Sequence, residues 1–167
     1  MPNPVPIPLG AFLGEYARSG AFTDCYAATF SGKVTLPEFV EAFYTTRLFK
    51  LERWILSVAV KMPSTDGEAR QLAHAERKTF AAWKVEQRSQ TEILLDAGQT
   101  RSWLSVAPVP GSPDSTTLLF GSAVVPRRSG GRMGLVFHAL IGFHRLYSKL
   151  LLAAARRRLM ASRKSTS

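Results

Sequence analysis

Apolar residues recur at two different spacings along the chain, and these spacings separate strand segments from helical ones. In the second half, apolar or β-branched residues alternate with others, which predicts strands at residues 79–87, 91–96, 101–109 and 116–125. Residues 97–100, Ala-Gly-Gln-Thr, give a compact turn signal between the second and third of these strands. With an earlier strand predicted at residues 24–34, the pattern indicates an antiparallel sheet of about five strands.

Two helices are predicted between the first strand and the other four. Thr35 can cap the first helix, and Glu38 follows at the capping-box spacing of three residues. Apolar residues at steps of three and four predict a second helix over residues 47–62, which Pro63 ends. Residues 68–78 fit either a short helix or a polar connector.

The longest helix is predicted for residues 132 to about 157, with an apolar stripe and a basic side. The apolar stripe consists of Val136, Leu140, Phe143, Tyr147, Leu150 and Ala154. The opposite side consists of His138, Gly142, Arg145, Lys149 and Arg156. An antiparallel sheet that curls over such a helix buries the apolar faces of both. The predicted fold is therefore α+β and helix-grip-like: a curved sheet packed on a long C-terminal helix, with two helices inserted after the first strand.

The chain of 167 residues fits one domain, which we predict to cover residues 23–158. Residues 1–22 are rich in proline and are predicted to form an extended arm. Residues 159–167 are predicted to be a basic, frayed tail. The longest apolar run near the C-terminus is shorter than a membrane span, and the single cysteine, Cys25, fits a reducing compartment. A cytoplasmic location is the resulting expectation.

The formal net charge of +10 belongs entirely to the last third of the chain. Residues 115–167 contain no Asp or Glu, whereas acidic and basic residues balance before them. A field of one sign attracts anions. Three interpretations are ranked in order: a solvated face, an anionic membrane surface, and nucleic acid, which is disfavoured because no helix-turn-helix or RNP pattern is present. The residues assigned to the anion or membrane surface are Arg145, Lys149, Arg156, Arg157 and Arg158.

Three segments resemble an uncharacterised bacterial family, domain-of-unknown-function family 2867, which is itself similar to the START/polyketide-cyclase helix-grip superfamily. They are residues 40–56, 91–106 and 140–155, and the closest local match is Phe-His-Arg-Leu at 143–146. The resemblance implies a helix-grip fold with a cavity between sheet and last helix, and it implies no known activity. The chain departs from the family at residues 99–102, where Gln-Thr-Arg-Ser replaces an acidic residue and a histidine, so a polar site there would be missing.

Motifs for phosphate loops, dinucleotide binding, zinc proteases, redox dithiols and nucleophile elbows are absent from the sequence. Three histidines and one cysteine are too few and too scattered for a metal site, so no metal and no cofactor are predicted. His144 lies within the apolar side of the last helix and has two interpretations. It is either a general base or ligand contact, or a core histidine with a structural hydrogen bond, which is favoured. Arg101 and Glu92 are candidate cross-strand partners.

The first functional hypothesis is a small-molecule binding module whose cavity lies between the sheet and the C-terminal helix. Its apolar or amphipathic ligand is predicted to contact Trp83, Trp103, Phe120, Phe143, His144 and Tyr147. Core packing is the commoner role of such aromatic side chains. One alternative is a cyclase or dehydratase with His144 as acid and base, although catalysis is not favoured. The other is a peripheral protein that binds an anionic membrane through its basic helix.

Overall fold

The computed structural model describes residues 1–50, 64–125 and 135–164, with only the backbone described at 135–144. Four helices have defined bounds: α1 Gly14–Arg18, α2 Leu36–Tyr44, α3 Asp66–Ala73 and α4 Leu135–Lys164. The strands are β1 Asn3–Pro4, β2 Phe22–Ser31, β3 Thr79–Phe80, β4 Trp83–Arg88, β5 Glu92–Ala97, β6 Thr100–Val109 and β7 Ser112–Val124. Residues 47–50 are also helical, and the rest of the helix predicted over residues 47–62 lies outside the described residues.

The strands form one antiparallel sheet in the order β1-β2-β7-β6-β5-β4-β3. The predicted α+β class, a sheet combined with a C-terminal helix, is confirmed. The strand count is seven rather than about five for two reasons. Residues 3–4 pair with β2, and the strand predicted at 79–87 is split by a tight turn in which Ala81 adopts a φ of 48°. The hairpin predicted at residues 97–100 is confirmed, with Gly98 at a φ of 74°.

Local capping fixes the first turns of α2 and α3. In α2 the Glu38 amide donates to Thr35 Oγ1, and Glu38 Oε2 accepts from the Thr35 amide at 2.7 Å, which confirms the predicted capping box. Thr65 and Glu68 repeat the same arrangement at the start of α3. Residues 68–78 fitted either a short helix or a polar connector, and the short helix is correct for residues 68–73. The helix ends at Ala73, where Arg88 donates to the carbonyls of Leu72 and Ala73.

The inner face of the sheet, which we define as the face covered by α2 and α4, carries the larger core. Its centre is a set of buried aromatic rings: Phe43, Tyr44, Phe49, Phe80, Trp83 and Phe120. The Phe43 and Phe120 centroids are 4.8 Å apart, and those of Tyr44 and Phe49 are 4.7 Å apart. Close ring packing of this kind fixes α2 on the sheet.

The outer face of the sheet is covered by the N-terminal segment, where an extended arm was predicted. Residues 1–22 include β1 and α1, and Ala11 and Leu13 are buried against Cys25 and Trp103. Gly121 permits this approach. A Cβ atom at position 121 would lie 2.5 Å from Leu13 Cδ2 and 2.9 Å from the backbone oxygen of Asp24. The segment is therefore a second layer of the fold rather than a free arm.

Helix α4 buries a different side from the one predicted. Its buried residues in the described part are Ser148, Leu151, Leu152, Ala155 and Leu159, whereas Leu150 of the predicted stripe is 48% exposed. Three consecutive leucines at 150–152 occupy several sides of the helix, so the apolar pattern alone does not select the side that packs. The predicted frayed tail is also corrected over residues 159–164, because the helix continues to Lys164 and buries Leu159. Residues 165–167 of that tail lie outside the described residues. Within the described ranges, no helix carries an apolar stretch long enough to cross a membrane.

Candidate functional site

Polar side chains occupy one end of the otherwise apolar inner face. The register places Asp24 of β2, Ser122 of β7 and Ser102 of β6 side by side across three strands. Because side chains alternate along a strand, Tyr26 is the next inward residue of β2 after Asp24. Farther along the same strands, inward positions hold Phe120 and Leu104 of the apolar core. We call Asp24, Tyr26, Ser102 and Ser122 the inner-face polar cluster.

The carboxylate of Asp24 is the centre of this cluster. Ser122 Oγ donates to Asp24 Oδ1 at 2.6 Å, and the Tyr26 phenol lies close enough to the same carboxylate for its pKa to respond to that charge. Burial, followed by the negative charge of Asp24, raises the pKa of Tyr26 to about 12. The phenol therefore stays protonated at neutral pH, and Asp24 accepts from the Ser122 hydroxyl beside this neutral phenol in a partly buried setting.

Helix α4 brings two cations to the same end of the sheet. The guanidinium carbon of Arg145 lies 5.5 Å from the centre of the Phe22 ring, and Lys149 Nζ lies 5.5 Å from the centre of the Tyr26 ring. Both contacts are within the range of a cation–π interaction. The positive charge of Arg145 also lowers the pKa of Tyr26, against the larger effects that raise it. Two residues predicted for an anion surface thus lie beside the inner-face polar cluster.

Ser148 adds a buried hydroxyl on the packed side of α4. Its side chain is fully buried, and within the described part of the chain its Oγ has no hydrogen-bond partner. Buried polar atoms usually find a partner, so such a hydroxyl is uncommon in a packed interior. It follows Arg145 by three residues and precedes Lys149 directly, so the helix turn that carries it is the turn next to β2.

Three of the six predicted ligand contacts lie on the inner side of the sheet. Trp83 and Phe120 are buried in the aromatic core, and Tyr147 is half-buried against it. The Trp83 ring centre is 5.1 Å from that of Phe49, so protein side chains fill the space around it. The side chains of Phe143 and His144 lie outside the described residues.

Trp103 requires a correction, because it lies on the outer face and cannot share a cavity with Trp83 and Phe120. Leu104 points to the inner core, so its neighbour at 103 points to the other side of the sheet. There Trp103 is buried beneath the N-terminal segment, and its indole Nε1 donates to Glu92 Oε2 at 2.7 Å. Its role is packing of the outer layer.

The predicted pair of Arg101 and Glu92 is wrong. The register places Asp96 opposite Arg101 and Ser105 opposite Glu92. Arg101 contacts Asp96 and Glu86, each at 2.7 Å, and its Nε donates to the Tyr16 hydroxyl. Tyr16 belongs to α1 and donates in turn to Glu86, so this outer-face network attaches the N-terminal segment to the sheet.

A separate groove of about 380 Å³ opens between α2 and the last turns of α4. Its lining residues are Glu38, Glu41, Ala42, Arg158, Leu159, Ala161 and Ser162. Both carboxylates are already paired, Glu38 with Arg163 at 3.0 Å and Glu41 with Arg70 at 3.4 Å. The groove lies at the far end of α4, roughly 20–26 Å along the helix from Arg145, and is distinct from the inner-face polar cluster.

Among the residues that the structure describes, no three His, Cys, Asp or Glu side chains form a group able to hold a metal ion. The comparison with protein-family models finds no match, and neither the curated proteins nor the solved structures contain a match. The function is therefore inferred from the chain's own residues.

None of the four residues of the inner-face polar cluster was among the predicted site residues. A signal for them exists in the period-two pattern, which places Asp24 and Tyr26 on the same face of β2 as Ala28 and Phe30. A carboxylate at the end of an otherwise apolar inward row is costly to bury and therefore indicates a functional role.

Proposed function

We propose that the protein is a helix-grip small-molecule binding module for an amphipathic ligand. The ligand's polar group lies against the inner-face polar cluster, and its apolar part lies between the sheet and α4 at the same end of the inner face, away from the aromatic rings that fill the space around Trp83. The observation that carries this proposal is a partly buried carboxylate, hydrogen-bonded to Ser122 beside a protonated phenol, on an otherwise apolar inner face. Ligand pockets are typically apolar with a few placed polar groups, which is the composition found at this end of the sheet.

The topology supports the helix-grip assignment. The first long strand, β2, pairs with the last strand, β7, and α4 then crosses the inner face. This is the arrangement implied by the resemblance to the START/polyketide-cyclase superfamily, and membership of that superfamily is part of the proposal.

The charge of the cluster favours one class of ligand head group. The oxygens of Asp24 are acceptors, so a ligand hydroxyl or ammonium group is a suitable partner. A carboxylate head group in contact with Asp24 would meet its negative charge instead. Arg145 and Lys149 lie over the neighbouring Phe22 and Tyr26 rings and offset part of that repulsion, so the preference depends on direct contact with Asp24. We therefore expect long-chain alcohols or amines to bind more tightly than fatty acids of equal length.

The protonation state of Tyr26 suits it to bind a ligand. A pKa of about 12 leaves this phenol protonated at neutral pH, so it serves as a hydrogen-bond donor and not as a general base. The alternative of a cyclase or dehydratase depends on His144, whose side chain lies outside the described residues. The described groups therefore support ligand binding first.

Displacement of the neutral solvatochromic dye Nile red tests this proposal. Dodecanol and dodecylamine are expected to displace the dye from the full-length protein at lower concentrations than dodecanoate. Asp24→Asn keeps the side-chain shape and removes the charge, and it is expected to weaken dodecylamine binding by roughly tenfold or more, as for other hydrogen bonds to charged groups.

The matched control is Asp114→Asn, because Asp114 carries a carboxylate that is 91% exposed and lies near the opposite end of β7 from Ser122. It is expected to leave all affinities unchanged, and thermal melts of both variants verify folding. Absence of dye uptake, or equal affinities of the Asp24 and Asp114 variants for dodecylamine, would contradict the proposed function.

A further inference from the structure

The exposed side of α4 carries an unusual share of the molecule's exposed apolar surface. Five large apolar side chains are exposed in the described part of the chain, and three of them are Leu146, Leu150 and Met160, at 58%, 48% and 45%. Scattered exposed leucines are normal, but three on one helix form a stripe. Leu146 and Leu150 are four residues apart and share a side of the helix, opposite the buried residues.

Cations accompany this stripe along its whole length. We define the outward face of α4 by its exposed members Leu146, Leu150, Arg157, Met160 and Lys164. Arg145 and Arg158 are also exposed and flank it. The sequence of α4 contains no Asp or Glu, so no acidic residue of the helix itself offsets these charges.

We propose that the outward face of α4 docks on an anionic membrane surface. Cationic side chains are attracted to acidic headgroups, while leucine and methionine side chains insert at the headgroup boundary. The combination distinguishes a bilayer from nucleic acid, which would engage the cations and leave the apolar stripe in water.

Docking in this orientation keeps the fold intact. The opposite side of α4 stays packed on the sheet and on α2 through Leu151, Leu152 and Ala155. Arg145 adjoins both the inner-face polar cluster and the outward face of α4, because it lies over the Phe22 ring and directly precedes Leu146. The proposal does not depend on ligand binding, and its test uses vesicles without any added ligand.

Vesicle flotation measures the proposed binding. The full-length protein is expected to float with phosphatidylcholine vesicles that contain phosphatidylglycerol, and not with phosphatidylcholine alone. Binding is expected to weaken strongly between low and high salt, because the screening length falls from about 30 Å at 0.01 M to about 3 Å at 1 M.

Two double variants separate the contributions of apolar and charged residues. Leu146→Gln with Leu150→Gln removes the leucines, and Arg157→Gln with Arg158→Gln removes two charges. Each pair is expected to weaken partitioning into anionic vesicles by about tenfold. The matched controls are Leu9→Gln, an exposed leucine elsewhere, and Lys78→Gln with Lys84→Gln, two exposed lysines elsewhere, and both are expected to bind as the unmodified protein does.

Failure to float with anionic vesicles at low salt would overturn the proposal. Equal weakening by the lysine control would also overturn it, because binding would then depend only on the net charge of the protein. If the leucine variant bound vesicles unchanged and duplex DNA displaced the protein from the vesicles, the basic residues would bind polyanions such as nucleic acid and not a bilayer, and the proposal would be wrong. Because the substituted side chains are exposed, circular dichroism is expected to show unchanged folding in every variant.

Discussion

Phe43→Ala is expected to lower the free energy of unfolding by about 3–5 kcal/mol, the usual range for truncating a buried aromatic side chain. Phe43 is 1% exposed. Its ring centre lies 4.8 Å from that of Phe120 on the sheet and 5.3 Å from that of Tyr44 on the same helix. Removal of the ring leaves a cavity where α2 meets the sheet. Urea denaturation followed by circular dichroism measures the change.

Phe43→Leu is the control for this position, since it keeps most of the apolar volume and is expected to cost less than about 1.5 kcal/mol. Equal and small losses for both variants would contradict the packed aromatic core. They would also reopen the space around Trp83 as a ligand cavity, because that space is filled by the same set of rings.

Leu13→Ala is expected to destabilise the protein by about 2–5 kcal/mol, even though Leu13 belongs to a segment that the sequence predicts to be an extended arm. Leu13 is 0% exposed and packs over Gly121, in the same cluster as Trp103. Its truncation opens the outer layer of the sheet. Thermal or urea denaturation provides the measurement.

Leu9→Ala is the matched control, because Leu9 is 103% exposed in the same segment. Its substitution is expected to change stability by less than about 0.5 kcal/mol. If the two variants had the same small effect, residues 1–22 would be an arm, as the sequence predicts, and not a layer of the fold.

Local signals predicted the local structure well. The capping box at Thr35 and Glu38 and the turn at residues 97–100 each depend on a few neighbouring residues, and both are confirmed. The combination of a sheet and a C-terminal helix follows from the two hydrophobic periods, and it too is confirmed.

Features that depend on distant parts of the chain could not be predicted in the same way. An apolar residue such as Trp103 could be buried on either face of the sheet. Only the packing of Leu13 on the outer face determines that Trp103 is buried there. The side of α4 that packs is ambiguous because residues 150–152 are all leucine. The inner-face polar cluster joins Asp24 to Ser122 across β2 and β7, and a pattern within one strand does not identify the strand beside it.

The binding of an amphipathic ligand at the inner-face polar cluster is tested most directly by nuclear magnetic resonance of the isotope-labelled full-length protein during titration with dodecylamine. The largest chemical-shift changes are expected at the amides of Asp24, Tyr26 and Ser122, with smaller changes along the apolar inner face. Saturating ligand that leaves these three amides unchanged, or that shifts only residues on the outward face of α4, would contradict the proposed site.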